Sequence, residues 1–311
     1  MWSSVSSRKE PNKWFNFLKK FFAERVDLLK KRVIFTLLYD SGSFMLSRNF
    51  RLQKVGNLHW LKKNYDFSKI AFSIDELIIL DVTRENRDEK KFQDHIYSLT
   101  EECFVPIAAG GGIRTLEQAQ NLLHSGSDKV VVNTLIYKNP QVIRKIAEEF
   151  GRQCVVATVD AKKNGDNYSV WIDNGTVELE INLEQWLNEI SNLPIGEVYL
   201  NSMDRDGTGQ GYELELLSSI PKSFPIPVIL AGGAGKFKHL AEGLLDDRVD
   251  AVATANLFNF IGDGLQKARD FLREQEINLA AWTIKRATEL SGFFINKKAN
   301  VSRIKLTKNG E

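Results

Sequence analysis

Two glycine clusters and a few carboxylates at the ends of apolar runs are the residues best suited to chemistry. Gly110-Gly111-Gly112 and Ala231-Gly232-Gly233-Ala234-Gly235 each follow a short apolar run and precede a helical pattern. Free backbone N–H groups and the positive end of a helix dipole attract anions at such a junction, and glycine lets the backbone come close. One cluster alone is as often a tight turn as a phosphate site. Two in equivalent settings point to a ligand with two phosphates. Asn133-Thr134 and Thr254-Ala255-Asn256 follow the two clusters by one βα unit each, where barrel phosphate sites find further donors.

Asp160 closes the run CVVATVD and is a candidate general acid or base; the plainer reading is a capping or loop-ordering aspartate. The segment from Ser202 to Thr208 carries Asp204, Arg205 and Asp206 ahead of Gly207. One of these charges can simply hold the loop through an ion pair, so the chemical role is assigned to Asp206. Residues 206–211 are glycine-rich but lack the P-loop lysine and the Rossmann spacing, and are expected to form a mobile loop.

These residues must be positioned by βα units, because short apolar runs alternate with amphipathic helical stretches from residue 32 onward. Strands are expected at 32–38, 76–81, 104–109, 129–133, 154–160, 197–202, 226–231 and 250–254, joined by mostly short loops. Eight strands predict a single closed (β/α)₈ barrel of the α/β class. An internal repeat supports closure: Glu76 and Glu197, Asp81 and Ser202, Arg84 and Arg205, Pro106 and Pro227, and Gly111 and Gly232 are all 121 positions apart. Two equivalent halves would face their glycine loops across one mouth.

The 311 residues, 43% hydrophobic and 26% charged, suffice for one large barrel and give no sign of global disorder. A formal net charge of +2 carries no nucleic-acid signature. Cys103 and Cys154 fit neither a metal site nor a disulfide framework, so both are expected to be buried and inert in a reducing cytoplasm. His59, His95, His124 and His239 lack ligand spacing, are placed on the surface, and argue against a metal. No cofactor is expected. With no signal-peptide core and no membrane-length apolar run, a cytoplasmic location follows. Residues 11–31 form an amphipathic pattern expected to dock on the barrel rather than lie on a membrane. The division is thus 1–30 as an N-terminal extension, 31–282 as the barrel and 283–311 as a C-terminal extension.

The motifs AAGGGIRTLEQAQ, DKVVVNT, GRQCVVATVDAKK, LNSMDRDGTGQGY and VILAGGAG occur in an order and spacing that resemble the HisF family, the cyclase subunit of imidazole glycerol phosphate synthase, over roughly residues 30 to 280. The resemblance implies a barrel that receives ammonia from a separate HisH-like glutaminase and uses it on a phosphorylated substrate at the mouth. It places Asp160 on one of two catalytic aspartates, and Asp81, Asn133, Thr134, Asp206 and Gly207 on the ligand side. The glycine loops, through Gly111, Gly112, Gly232 and Gly233 with Ala255 and Asn256 nearby, fall on both phosphate sites. Arg32, Glu76, Lys129 and Glu197 match the ring at the ammonia entrance, and Asp128 and Gln153 match positions facing the glutaminase.

The departure lies at the first strand. Leu38 stands where the resemblance requires the second catalytic aspartate, and Leu46 where it requires a substrate-contacting lysine. Leucine can neither exchange a proton nor pair with phosphate. Asp40 shares the strand parity of position 38 and is the candidate substitute, reaching from higher up the mouth. An intact entrance joined to an altered mouth resembles the HisF-like branch associated with surface-polysaccharide pathways. In that reading ammonia serves a phosphorylated sugar or sugar-nucleotide acceptor, and an ATP-dependent ligase can be a third partner. The alternatives are the authentic histidine-pathway cyclase and a non-catalytic phosphate-binding regulator of a glutaminase.

Overall fold

The computed structural model describes residues 30–280. The amphipathic stretch at 11–31 falls almost wholly outside the described residues, as does the extension at 283–311. Twelve strands follow one another: β1 (Arg32–Asp40), β2 (Ser43–Arg48), β3 (Arg51–Asn57), β4 (Glu76–Asp81), β5 (Ile107–Gly110), β6 (Lys129–Val132), β7 (Val155–Asn164), β8 (Asn167–Ile172), β9 (Val177–Asn182), β10 (Glu197–Ser202), β11 (Val228–Ala231) and β12 (Ala251–Thr254). Eight of them close in the parallel order β10-β11-β12-β1-β4-β5-β6-β7, with β7 pairing back onto β10. The expected (β/α)₈ barrel is therefore present, with β5 and β11 beginning a few residues later than the sequence suggests.

The strands read as near-continuous apolar runs because both faces are buried. Inward side chains, among them Ile34, Ile78, Ala108, Val131, Val156, Tyr199, Ile229 and Ala251, fill the interior. The alternate residues Val33, Leu77, Val130, Val155, Val198 and Val252 pack under the surrounding helices. At the N-terminal ends of the strands three aspartates repeat one device: Asp75, Asp128 and Asp250 each accept the N–H that opens a neighbouring strand, from Val33, Ile107 and Val228, all at 2.8 Å. Arg269, wholly buried on the last of the described helices (Gly264–Glu274), forks onto Asp75 at 2.8 and 2.9 Å. Breaking such a pair strands a buried charge, so Arg269→Leu should lower stability by about 3–5 kcal/mol in urea unfolding.

Four expectations are corrected. Loops at the mouth are not short: β1 and β7 run past the rim and fold back into the antiparallel hairpins β2–β3 and β8–β9. Residues 206–211 are tethered by Asp206, which binds the β2–β3 tip through its backbone carbonyl (Asn49 N–H, 3.0 Å) and its carboxylate (Phe50 N–H, 3.0 Å). His239 is buried, not on the surface, and accepts the Gly235 N–H at 3.2 Å; Cys154 is only half-buried while Cys103 is buried. Burial raises both thiols, Cys103 to about 11, so neither presents much thiolate at neutral pH.

Candidate functional site

A cavity of about 600 Å³ opens at the C-terminal ends of the barrel strands. The two glycine loops follow β5 and β11, four places apart in the eight-strand ring and so on opposite sides of the mouth. Gly111 (φ +109°) and Gly233 (φ +103°) hold conformations that strain other residues, and added Cβ atoms would stand 2.0 Å from the Asp81 carbonyl and 2.2 Å from the Gly211 carbonyl. Gly112, Gly232, Ala234, Ala255 and Asn256 line the same cavity beside them. Gly207 reaches the same cavity with its Cα close to the Ser47 carbonyl.

Asp160 lies on β7 at the floor of this cavity. Both carboxylate oxygens accept amide hydrogens, Oδ1 from Asn201 at 2.8 Å and Oδ2 from Asn133 at 3.1 Å. Burial raises its pKa to about 6; the Asn201 bond opposes this and the charge of Asp206 adds to it. A carboxyl group titrating there is poised to take or give a proton near neutrality. Asp206, on the loop after β10, is also raised, chiefly by burial, with the Phe50 N–H and the Ser47 hydroxyl opposing. Its Oδ2 is occupied by those two donors, so it anchors the β2–β3 hairpin. Asp81 is caged by Arg87 (2.9 Å) and the Thr83 N–H (2.9 Å), and the Thr134 hydroxyl accepts the Asp173 N–H at 3.0 Å. Of the ligand-side aspartates, Asp160 alone holds its carboxylate with two neutral amides.

At the opposite end of the barrel four charges from β1, β4, β6 and β10 meet in a closed ring. Arg32 binds Glu76 (3.2 Å) and Glu197, while Lys129 binds Glu76 (2.8 Å) and Glu197 (2.6 Å). Glu76 and Glu197 are buried, and each cation faces both acids, which offsets the desolvation of the set. Asp128 and Gln153 are exposed beside it. Gln153 donates to the Phe150 carbonyl, and Asp128 gives one oxygen to the Ile107 N–H as described above.

Comparison with known proteins agrees with this geometry. A family model described as "Histidine biosynthesis protein" matches residues 58–262. A Parasynechococcus marenigrum protein, provisionally named imidazole glycerol phosphate synthase subunit hisF2, is 47% identical over 263 residues, covering 84% of this chain and 98% of its own length. The HisF subunits of Chlorobium limicola (34% over 251 residues, 80% of this chain and 98% of that one) and Chlorobium phaeovibrioides (36% over 253 residues, 81% and 99%) align similarly. The chain belongs to the HisF family. It is accordingly an enzyme subunit. These relatives are named for imidazole glycerol phosphate synthase and none for polysaccharide chemistry, so the surface-polysaccharide branch finds no support among them.

Within the HisF frame the first half of this barrel departs from the second. Leu38 pairs with Leu80 across β1 and β4, while Asp160 pairs with Asn201 across β7 and β10. Strands β1 and β7 stand opposite one another in the ring, so an apolar pair faces the polar one across the mouth. Leu38, Leu80 and Leu46 all line the cavity. Asp40 does not: it pairs with Ser43 where β1 has left the barrel, and its carboxylate takes the Ser41 hydroxyl at 2.7 Å. That position gives its candidacy as the second catalytic carboxylate no geometric support. Sequence reading also missed Asn201 as the partner of Asp160, and the Thr36–Tyr199 hydroxyl pair (3.2 Å) inside the barrel. An asparagine inside the apolar run VYLNS was the available signal for the first.

Proposed function

We propose that the chain is the ammonia-using synthase subunit of a glutamine amidotransferase of the imidazole glycerol phosphate synthase type. The observation that carries the reading is the alignment along one barrel axis of a four-charge ring at one end and two opposed glycine cradles with Asp160 at the other. Ammonia released by a HisH-like glutaminase docked at Asp128 and Gln153 would enter at the ring and cross an interior lined mainly by Ile, Val and Ala. At the mouth it would meet a ligand held by a phosphate in each cradle, with Asp160 moving the proton. The names of the relatives favour imidazole glycerol phosphate as the product.

A second reading, that the same ammonia serves a different phosphorylated acceptor such as a sugar or sugar nucleotide, is favoured by Leu38, Leu80 and Leu46 in the cavity wall. An ATP-dependent ligase would then activate the acceptor. Both readings share the glutaminase, and its binding is the direct test. The purified chain mixed with the cognate HisH-like glutaminase should form a complex visible by calorimetry. Asp128→Asn, which keeps an oxygen for the Ile107 N–H, should weaken it several-fold, and Asp128→Lys should weaken it more, because like charges at a complementary surface are costly. Failure to form any complex refutes the ammonia-transfer reading.

A further inference from the structure

The tip of the β2–β3 hairpin gathers three guanidinium groups that proton and ammonia transfer leave unused. Arg48 and Arg51 are direct cross-strand partners. Arg84, from the loop after β4, donates Nη2 to the Phe50 carbonyl at the same tip at 3.2 Å. All three line the mouth cavity, and none forms an ion pair with a carboxylate among the described residues. Two other arginines of the same cavity differ in this respect, Arg87 being paired with Asp81 and Arg114 with Asp173.

Like charges directly opposite on a hairpin are destabilising, and a third beside them adds to the repulsion. The two residues between the strands are held in the left-handed region, Asn49 at φ +51° and Phe50 at φ +61°, a conformation costly for a bulky side chain. The tip is nevertheless fixed over the mouth by Asp206, and the Phe50 ring lies against Gly175 in the β8–β9 turn. A repelling, strained tip clamped at the rim of a cavity is an arrangement that an anion completes.

We propose that Arg48, Arg51 and Arg84 form a third anion subsite, separate from the two glycine cradles, which takes a diphosphate group of the acceptor. Arginine forks match phosphate oxygens in pairs, and three of them around a two-residue turn suit two adjacent phosphates better than one. The acceptor class is then a nucleoside diphosphate or its sugar ester. This rests on the second reading above, in which ammonia serves a phosphorylated acceptor other than the histidine-pathway nucleotide, and is tested without ammonia or glutaminase, so that the two can fail separately.

The probes are inorganic pyrophosphate and inorganic phosphate, titrated calorimetrically at low salt and without divalent cations. The unmodified chain should prefer pyrophosphate about tenfold or more, and Arg48→Gln/Arg51→Gln should remove that preference while phosphate binding at the cradles persists. Arg51→Glu turns the cross-strand repulsion into attraction; it should raise the Tm of the free protein and abolish the preference. Equal pyrophosphate affinity in the unmodified and doubly substituted chains, or no preference over phosphate in the unmodified chain, overturns the subsite.

Discussion

Asp160→Asn should reduce product formation by about 10²–10⁴ while leaving the barrel folded and phosphate binding intact, because the amide has the size of the carboxylate but cannot exchange its proton. The same carboxylate sets the expected pH profile. With its pKa raised to about 6, mainly by burial, Asp160 is ionised and competent as a base above that pH. The rate of the unmodified enzyme should therefore fall with unit slope below about pH 6 rather than near 4.

Stability follows in the opposite direction. A raised carboxylate favours the folded state while protonated, so that contribution is present below the unfolded pKa of 3.8 and is lost as pH rises through about 6. At pH 8 Asp160→Asn should be more stable than the parent by up to about 3 kcal/mol, less whatever is lost when one neighbouring amide turns to accept. Urea unfolding at pH 8 and pH 5 reads the difference. Activity within about threefold of the parent would reduce Asp160 to a structural role, since a general acid or base contributes at least about 10².

The second large effect concerns the facing pair. On the second reading, the unmodified protein given ammonia and the histidine-pathway nucleotide turns over slowly, because Leu38 offers no carboxylate opposite Asp160. Leu38→Asp combined with Leu80→Asn, which copies the Asp160–Asn201 pair onto the opposite strands, should raise the rate by about 10² or more. Leu38→Asp alone should do less. A carboxylate beside Leu80 would lack the amide that Asn201 gives Asp160, and an uncompensated buried charge protonates instead of acting as a base. Growth of a strain lacking its histidine cyclase, beside an ammonia-driven assay, measures both. Robust growth and turnover by the unmodified chain would establish the imidazole product. Asp40→Asn would then show whether that residue contributes from outside the cavity seen here.

Much of the architecture was legible in one dimension because it rests on local patterning. Apolar runs such as CVVATVD and VPIAAGGG are buried on both faces, so each announced a barrel strand. The constant offset between the halves announced closure, and the glycines announced backbone conformations that other residues resist. The hairpins β2–β3 and β8–β9 were not legible. Stretches such as RLQKVGN and VELEIN are largely exposed and carry little hydrophobic periodicity. They exist as strands because β1 and β7 offer them an edge beyond the rim.

The sequence by itself determined the fold class, the two glycine loops, the place of Asp160 at the mouth end of its barrel strand and the absence of a carboxylate at position 38, since each is a matter of residue type at a local place in a repeating unit. Only the tertiary structure decided what each group faces. Strand parity put Asp40 on the same side as Leu38, but the divergence of β1 into a hairpin carried it out of the cavity. Asp206 sat in a loop that looked free, and a hairpin extending from β1, three strands away in the ring, gave its carboxylate two donors. Arg48 and Arg51 carry no pattern in the sequence that marks them; the turn sets them opposite each other and brings Arg84 to the same tip. Contacts between segments distant along the chain depend on register and on the path of the strands through space, and neither is written in the spacing of residues within one segment.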